Sequence, residues 1–598
     1  MVLQANAPVH IVGIADADSS IRVEFLEVVR ETTSDSLGNF SVEFPAFPPS
    51  NTPATIRILS EHETVEITDV LLGEVWLCSG QSNMVWRMHS CDRFNEFKND
   101  GDRPTIRTFN GAAIAAEESQ SELPGEWRVC SPETIGDFSG VAYHFGRALS
   151  DRLDVPIGLI NISWGGSRAE AWIRPATLRT TDIGQKAFGT WERTQEQLNA
   201  DPMEWAATDV DDSNWIKGVA PGNLEAFGIE DSVDGIFWER IPVTLPASWE
   251  GRDIALSLGG IDDDDTTFFN GVRIGATRGW QTPRNYVIPG ALVQEGESVL
   301  AIRIIDGAGP GGLHSPASEL YMHPHDDPSD RRSLGGPARL VMAGEASDIP
   351  LQHRPSQLYH GMLHPLLDIN CAGVIWYQGE NNAMGPGSAE EYAVLLPLLI
   401  ADWRDAFEQP NLPFLIVQLA NLNYRVPDWD FPLIRDIQRQ ALALPATGLA
   451  VTTDIGDADD IHPRNKHDVG NRLARWALVD SYNMTDIIKS GPLVRSVHRD
   501  RGGVVVTFTT FGSPLRGEIG SPIGGFEMAS SDGTYVEVPA EISSDRTLRI
   551  RIPAKFSGRP KAIRYGWRPD PVNANLCNRE GLPAATFQMP IASPSPTD

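Results

Sequence analysis

Cysteine is scarce in this sequence: the 598 residues include only five, and no two of them have C-x-x-C spacing. An odd number of scattered cysteines excludes a small disulfide-stapled fold and a zinc site built on cysteine pairs. Long apolar runs are also missing, since none reaches the ~18 residues that a membrane-spanning helix needs. The first eight residues lack a basic segment followed by an apolar one, so no secretory signal is predicted and the compartment stays open.

Basic residues are outnumbered. Lysine and arginine total 49 against 80 aspartates and glutamates, which gives a formal net charge of −31. A phosphate backbone is repelled by such a balance, and a neutral substrate suits it better than a polyanion. We therefore expect no nucleic-acid partner and no membrane partner, while the oligomeric state stays open.

Glycine, proline and tryptophan are plentiful, at 54, 44 and 16 residues, which favours strand-rich and turn-rich domains. A chain of this length predicts about four domains. Short runs of alternating apolar and polar residues indicate all-β regions, and the remaining regions alternate strands with helices. The predicted division is a β-sandwich at 1–72, an α/β domain at 73–178 and 336–484, an inserted all-β module at 179–335, and a closing β domain at 485–598.

The α/β region carries polar residues just after its strand-like apolar runs. Ser82 follows one such run, Gly166 a second, Asn382 a third, and His462 a fourth. Strands that alternate with helices predict a mostly parallel sheet, and the carboxyl ends of parallel strands meet at one edge. We therefore expect these four residues to converge.

Ser82 lies at a strand-to-helix turn, where a serine hydroxyl is well placed for nucleophilic attack. The turn is not the G-x-S-x-G elbow of the common hydrolase fold, since Asn83 and Met84 follow the serine. Taken alone, such a serine more often caps a helix or closes a turn.

His462 follows a group of acidic residues. Asp459 stands three positions before it, a spacing that lets a carboxylate accept from one ring nitrogen while the other faces the serine. Asp457 and Asp460 are close enough in sequence to take the same role. Two other interpretations stay open: the acids cap a helix, or all four residues bind a divalent cation.

Four separated blocks resemble the ordered blocks of the SGNH hydrolases, and within them the sialate O-acetylesterase family. The blocks are Gly80–Met84, Ser163–Gly166, Trp376–Asn382 and Asp459–Arg464. The resemblance implies a flavodoxin-like parallel sheet of the SGNH-hydrolase type. The runs between 179 and 335 also resemble the jelly-roll module of β-galactosidase-type glycoside hydrolases. The predicted fold class is thus α/β, with an inserted jelly roll and flanking β-sandwiches.

The same resemblance implies roles for individual residues. Ser82 would be the nucleophile, His462 the base, and Asp459 the carboxylate that orients the imidazole. The backbone N–H groups of Ser82 and Gly166, with the Asn382 side-chain amide, would form the oxyanion hole. Gly165 is an alternative to Gly166. Substrate contacts are predicted for Gln81, Arg168, Gln378 and Glu380.

The implied activity is a serine esterase that removes O-acetyl groups from carbohydrates through an acetyl-enzyme intermediate, without cofactor or metal. The predicted partner is an acetylated carbohydrate, either a plant-polysaccharide oligosaccharide of the xylan or xyloglucan type or a sialic acid. Two alternatives stay open: a non-catalytic carbohydrate-binding multidomain protein, and a metal-dependent phosphoesterase using the acidic residues before His462.

Overall fold

The computed structural model describes residues 1–199, 203–229, 235–277, 279, 282–306, 311–344, 349–423, 429–517, 522–554 and 556–592. These residues form two compact units. The first combines residues 1–184 with 352–598, and the second comprises residues 185–351. None of the described helices is long and apolar enough to cross a bilayer.

The amino-terminal strands are β1 (Val2–Gln4), β2 (Val9–Ile14), β3 (Ser20–Phe25), β4 (Val28–Thr33), β5 (Asn39–Phe44), β6 (Ser50–Leu59) and β7 (Thr64–Gly80). Strand β7 is 17 residues long and pairs with two different groups of strands along its length. Its first half pairs antiparallel with β6, and its second half pairs with strands of the α/β region. The predicted boundary at residue 73 lies within this continuous strand.

The next elements of the first unit follow in chain order: α1 (Ser82–Val85), α2 (Phe94–Asn99), β8 (Arg103–Gly111), β9 (Gly125–Cys130), α3 (Gly140–Leu153), β10 (Ile157–Ser163) and α4 (Pro175–Leu178). Helix α3 begins at a standard cap, because the Ser139 hydroxyl accepts from the Ala142 N–H.

The second unit consists of antiparallel sheets around an apolar core. Helix α5 (Asp182–Asn199) leads into it and is followed by α6 (Met203–Ala206). Its strands are β11 (Ile216–Ala220), β12 (Gly235–Leu245), β13 (Ile254–Gly259), β14 (Ile261–Asp262), β15 (Asp264–Phe269), β16 (Val272–Thr277), β17 (Arg284–Ile288), β18 (Gly296–Asp306), β19 (Gly312–Leu313), β20 (Tyr321–Pro324), β21 (Arg332–Ser333) and β22 (Gly336–Gly344).

Helix α5 corrects the prediction that the chain is all-β from residue 179 onward. Phe188, Trp191 and Thr194 are buried and stand three residues apart, so they form one face of the helix. This helical period was present in the sequence and was missed.

The first unit resumes with a π-helical turn at Tyr359–Leu363. Its later elements are β23 (Gly373–Tyr377), α7 (Ser388–Ala406), β24 (Phe414–Val417), α8 (Phe431–Gln440), β25 (Thr447–Ala450) and α9 (Lys466–Asp480). The closing strands are β26 (Leu493–Asp500), β27 (Gly503–Thr509), β28 (Leu515–Arg516), β29 (Ile523–Ala529), β30 (Tyr535–Ser544), β31 (Thr547–Ile550), β32 (Ala562–Tyr565), β33 (Cys577–Asn578) and β34 (Phe587–Pro590).

The central sheet has the strand order β25-β24-β23-β7-β10-β8-β9. All neighbours in it are parallel except β8 and β9. Strands β23, β24 and β25 are buried at every residue, as expected when helices cover both faces of a parallel sheet. The predicted parallel sheet is confirmed.

Arg435 joins helix α8 to the closing β region. Its side chain is fully buried, and its guanidinium donates to the carbonyl oxygens of Leu419, Ala420, Arg568 and Pro569 at 2.6–2.9 Å. The planar fork of arginine serves several acceptors at once, which a lysine cannot match.

We predict that Arg435→Met destabilises the protein by roughly 3 kcal/mol, because two buried and two partly buried carbonyls lose their donor. Each buried group left unpaired costs about 1 kcal/mol or more. Urea denaturation of the whole protein measures the change in unfolding midpoint. Arg551→Met is the control, since Arg551 is largely exposed. Equal midpoints for Arg435→Met and wild type would contradict the prediction.

Candidate active site

Ser82 is positioned by the end of strand β7. Gly80 has φ +138°, and a Cβ there would collide with the carbonyl oxygen of Tyr377 on the neighbouring strand β23. The same carbonyl accepts from the Gln81 N–H at 2.9 Å. The chain therefore turns at the sheet edge, and Ser82 becomes the first residue of α1, partly exposed.

The glycines after strand β10 border the serine. A Cβ on Gly165 would lie 3.7 Å from the Ser82 Cβ, so this glycine packs directly against the serine. Gly166 has φ +70°, and a Cβ there would lie 3.7 Å from Gln352 Nε2 and 3.9 Å from Asn381 Nδ2. Of the two glycines that the sequence left open, Gly165 is the one that lies against Ser82, and Gly166 faces the two amides.

His462 lies on the loop between β25 and α9. Its ring stacks on Trp86, with centroids 5.0 Å apart and planes 14° apart. Asn83 Nδ2 donates to the carbonyl oxygen of Ile461 at 3.0 Å. Because Asn83 and Trp86 are both close to Ser82 in sequence, the segment that carries Ser82 also holds the loop that carries the imidazole.

Asp460, not the predicted Asp459, is the carboxylate that the structure places beside this imidazole. Asp460 Oδ1 lies 3.8 Å from His462 Nδ1 and accepts the His462 backbone N–H at 2.8 Å. Asp459 is exposed, and its backbone N–H donates to Asp457 Oδ1 at 3.0 Å. This tight turn directs the Asp460 carboxylate toward the ring and leaves Asp459 exposed, which the spacing in the sequence could not show.

The surroundings of His462 favour the neutral, proton-accepting form of its imidazole. Burial lowers the pKa of His462 below its usual value of 6.5, the positive charge of Lys466 lowers the pKa further, and Asp460 opposes both. A neutral imidazole can accept a proton from a serine hydroxyl.

Asn382 is fixed by three hydrogen bonds and is 1% exposed. Its Oδ1 accepts from the Ala169 N–H at 3.0 Å and from Gln378 Nε2 at 2.6 Å. Its Nδ2 donates to Glu170 Oε2 at 3.0 Å. These bonds set the orientation of the amide, use one of its two hydrogens, and join it to the segment that follows Gly166.

The four residues predicted to contact substrate mainly brace the loops. Gln81, Gln378 and Glu380 are almost completely buried. Gln81 Oε1 accepts from two backbone N–H groups of the 379–381 turn at 3.3 and 3.4 Å. Arg168 donates to Ser388 Oγ at 2.9 Å. Several of their polar groups are bound to protein, whereas Arg168 Nε, Gln378 Oε1 and Glu380 Oε2 are buried without a hydrogen-bond partner among the described residues. This structure places the four predicted side chains between the loops of the site.

Several residues near Ser82 were not predicted from the sequence. Gln352 and His353 come from the 349–353 segment, where His353 Nε2 contacts the Gly166 carbonyl oxygen at 2.9 Å. No motif pointed to them. Trp86 and Lys466 each stand four residues beyond a predicted catalytic residue, and that proximity was the available signal.

Within the described part of the chain, no group of three or more His, Cys, Asp or Glu residues is arranged to hold a metal ion. The acidic residues before His462 therefore lack the ligand geometry that the phosphoesterase alternative requires.

Comparisons with known proteins show similarity to carbohydrate esterases. Residues 341–479 match the family model described as carbohydrate esterase, sialic acid-specific acetylesterase. The rat sialate O-acetylesterase is 26% identical over 88% of this chain and 79% of its own length. The human sialate O-acetylesterase is 24% identical over 89% of this chain and 78% of its own. A carbohydrate acetylesterase from Xanthomonas citri is 26% identical, with a TM-score of 0.66 over 98% of this chain and 96% of that structure.

The fold and these matches define a carbohydrate esterase, which is a carboxylic ester hydrolase. Within that class, residues 341–479 match the sialic acid-specific acetylesterase model, and most of the chain is similar to sialate O-acetylesterases.

The position of Asp460 yields a first prediction for this site. Asp460→Asn should lower kcat at least tenfold, because the amide neither orients nor stabilises the imidazolium as a carboxylate does. Asp459→Asn is the matched control and should stay within a few fold of wild type. Steady-state kinetics on p-nitrophenyl acetate measures both, and the opposite order would restore Asp459 as the orienting acid.

The bonds of Asn382 yield a second prediction. Asn382→Ala should lower kcat about a hundredfold, the usual effect of losing one oxyanion donor. It should also lower the unfolding midpoint, since the buried Glu170 loses the Asn382 donor and Gln378 Nε2 loses one of its two acceptors. Asn381→Ala, half-exposed and next in sequence, is the control. If Asn381→Ala alone lost kcat, the donor would be Asn381.

Proposed function

We propose that this protein is a serine esterase that removes O-acetyl groups from carbohydrate hydroxyls through an acetyl-enzyme intermediate. The observation that carries the proposal is the meeting of Gly165 with Ser82 and of Trp86 with His462 at one sheet edge. Ser82, Gly165 and the imidazole of His462 thus come from three loops. Each loop follows a strand of the parallel sheet.

The chemistry follows from these positions. His462 accepts the proton of Ser82 as the hydroxyl attacks the acetyl carbonyl, and then returns it to the departing sugar oxygen. Asp460 stabilises the imidazolium. Backbone N–H groups of Ser82 and of the Gly165–Gly166 turn, with the second amide hydrogen of Asn382, receive the oxyanion. Water then repeats the sequence and releases acetate.

We also propose the finer fold assignments. The order of the parallel strands and the serine after β7 support an SGNH-hydrolase sheet of flavodoxin-like type. The six-stranded and four-stranded antiparallel sheets of residues 185–351 support a jelly-roll module. We also propose the domain division given by the sequence: 1–72, 73–178 with 336–484, 179–335, and 485–598. The compact unit of residues 185–351 supports the inserted module proposed at 179–335.

A neutral acetylated glycan is the substrate class that the charge of the site favours. The loop that carries His462 bears Asp457, Asp459 and Asp460, and the first two are exposed. Carboxylates at the rim of a site repel an anionic sialoside and leave a neutral xylan-type or xyloglucan-type oligosaccharide unaffected.

Acetate release from acetylated xylan, xyloglucan, pectin and sialoside substrates tests the proposal. Wild type should release acetate from the neutral glycans, and Ser82→Ala should leave only residual activity. Equal rates for wild type and Ser82→Ala on every substrate would favour a non-catalytic carbohydrate-binding protein. Faster release from the sialoside would overturn the preference for a neutral glycan.

A further inference from the structure

Lys466 is a buried cation next to the candidate active site. It is 1% exposed and is the first residue of helix α9. A positive charge is unfavourable both in a protein interior and at a helix amino terminus. Burial lowers its pKa to about 8. A lysine kept in a position that is unfavourable for its charge in two ways is a candidate for a functional role.

The Lys466 ammonium group is bound by an amide rather than by a carboxylate. Lys466 Nζ donates to Asn83 Oδ1 at 2.5 Å. It also lies 5.9 Å from the ring centroid of Trp86 and 5.5 Å from that of Tyr377, within the range of cation–π attraction. Asn83 and Trp86 follow Ser82 within four residues, so Lys466 contacts the segment of the nucleophile from its buried side.

The side-chain amide of Asn83 also forms hydrogen bonds to two other loops. Its Nδ2 donates one hydrogen to Glu380 Oε1 at 2.5 Å and the other to the carbonyl oxygen of Ile461 at 3.0 Å. All three contacts require the amide oxygen to face Lys466. Reversing the amide would place its NH₂ group against the ammonium and its oxygen against two acceptors.

We propose that Lys466 is a positioning residue of the esterase: through the Asn83 amide it sets the geometry between Ser82 and His462. This inference rests on the proposed function. Ile461 precedes His462 directly, so the bond from Asn83 fixes the backbone that carries the imidazole. A displacement of 1 Å between reacting groups can cost a hundredfold in rate.

Lys466 has an electrostatic effect as well. Two charged groups act on the imidazole: Lys466 from α9 and Asp460 from its own loop. The Glu380 carboxylate is joined to Lys466 through the Asn83 amide. The positive charge of Lys466 lowers the pKa of His462 and Asp460 raises it. Removing the lysine charge therefore raises the pKa of His462. As the pH is lowered, the imidazole of the variant is then protonated at a higher pH than that of wild type.

The test compares Lys466→Met with Lys489→Met. Methionine keeps the unbranched shape of lysine and removes its charge and donor. Lys489 also lies over two aromatic rings, 4.6 Å from Trp476 and 5.3 Å from Phe511. Its ion pair goes to Asp480, away from the catalytic loops. It is therefore a matched control for the loss of a partly buried lysine.

We expect Lys466→Met to lower kcat tenfold or more with KM within twofold of wild type. The acidic limb of its kcat/KM profile should move up by roughly half a pH unit or more. Lys489→Met should match wild type in both. An unchanged kcat and limb in Lys466→Met would overturn the proposal. A lower kcat with an unmoved limb and a lower unfolding midpoint would show a structural role and would also overturn it.

Glu380→Gln gives a second readout if Lys466→Met does not fold. It keeps an acceptor oxygen of the same size for Asn83 and removes the buried negative charge. We expect kcat to fall several fold at unchanged KM, and an unchanged kcat would count against the proposal. Ser82-dependent activity of wild type is measured in the same assay. Its absence would sink the esterase proposal itself, whereas its presence with normal kcat in both variants would sink only the role of Lys466.

Discussion

One backbone contact determines where the chemistry can occur. Strand β7 reaches the Tyr377 carbonyl so closely at Gly80 that no side chain fits there, and the following N–H bonds to that same carbonyl. The strand must therefore leave the sheet at this point. Ser82 consequently emerges between the loops that follow β10 and β23, because both strands flank β7.

The neighbours of Ser82 then assemble the rest of the site. Gln81 accepts from the turn after β23, Asn83 binds the residue before His462, and Trp86 stacks on the imidazole. One short segment thus anchors two loops that lie hundreds of residues away in sequence. Because these polar groups are buried, each needs its partner, and the network tolerates few alternative arrangements. Lys466 supplies the donor that the Asn83 oxygen requires.

Much of this architecture could be predicted from local patterns. Apolar runs that end in Ser82, Gly166, Asn382 and His462 predicted a parallel sheet, and the structure has one. The helical face of α5 was overlooked because its surroundings are rich in strands. The preference for Asp459 came from the family resemblance and from its spacing before His462, whereas the turn that directs Asp460 toward the imidazole depends on backbone bonds that neither encodes.

The sequence by itself determined which residue types stand at the ends of the buried strands, since hydrophobic period and glycine placement are local properties of the chain. Only the tertiary structure decided which of them meet. Gly165 rather than Gly166 packs against the serine, and Gln378 and Glu380 point into the interior. Such contacts depend on the pairing of strands distant in sequence, and the geometry of that pairing is fixed only when the whole sheet forms.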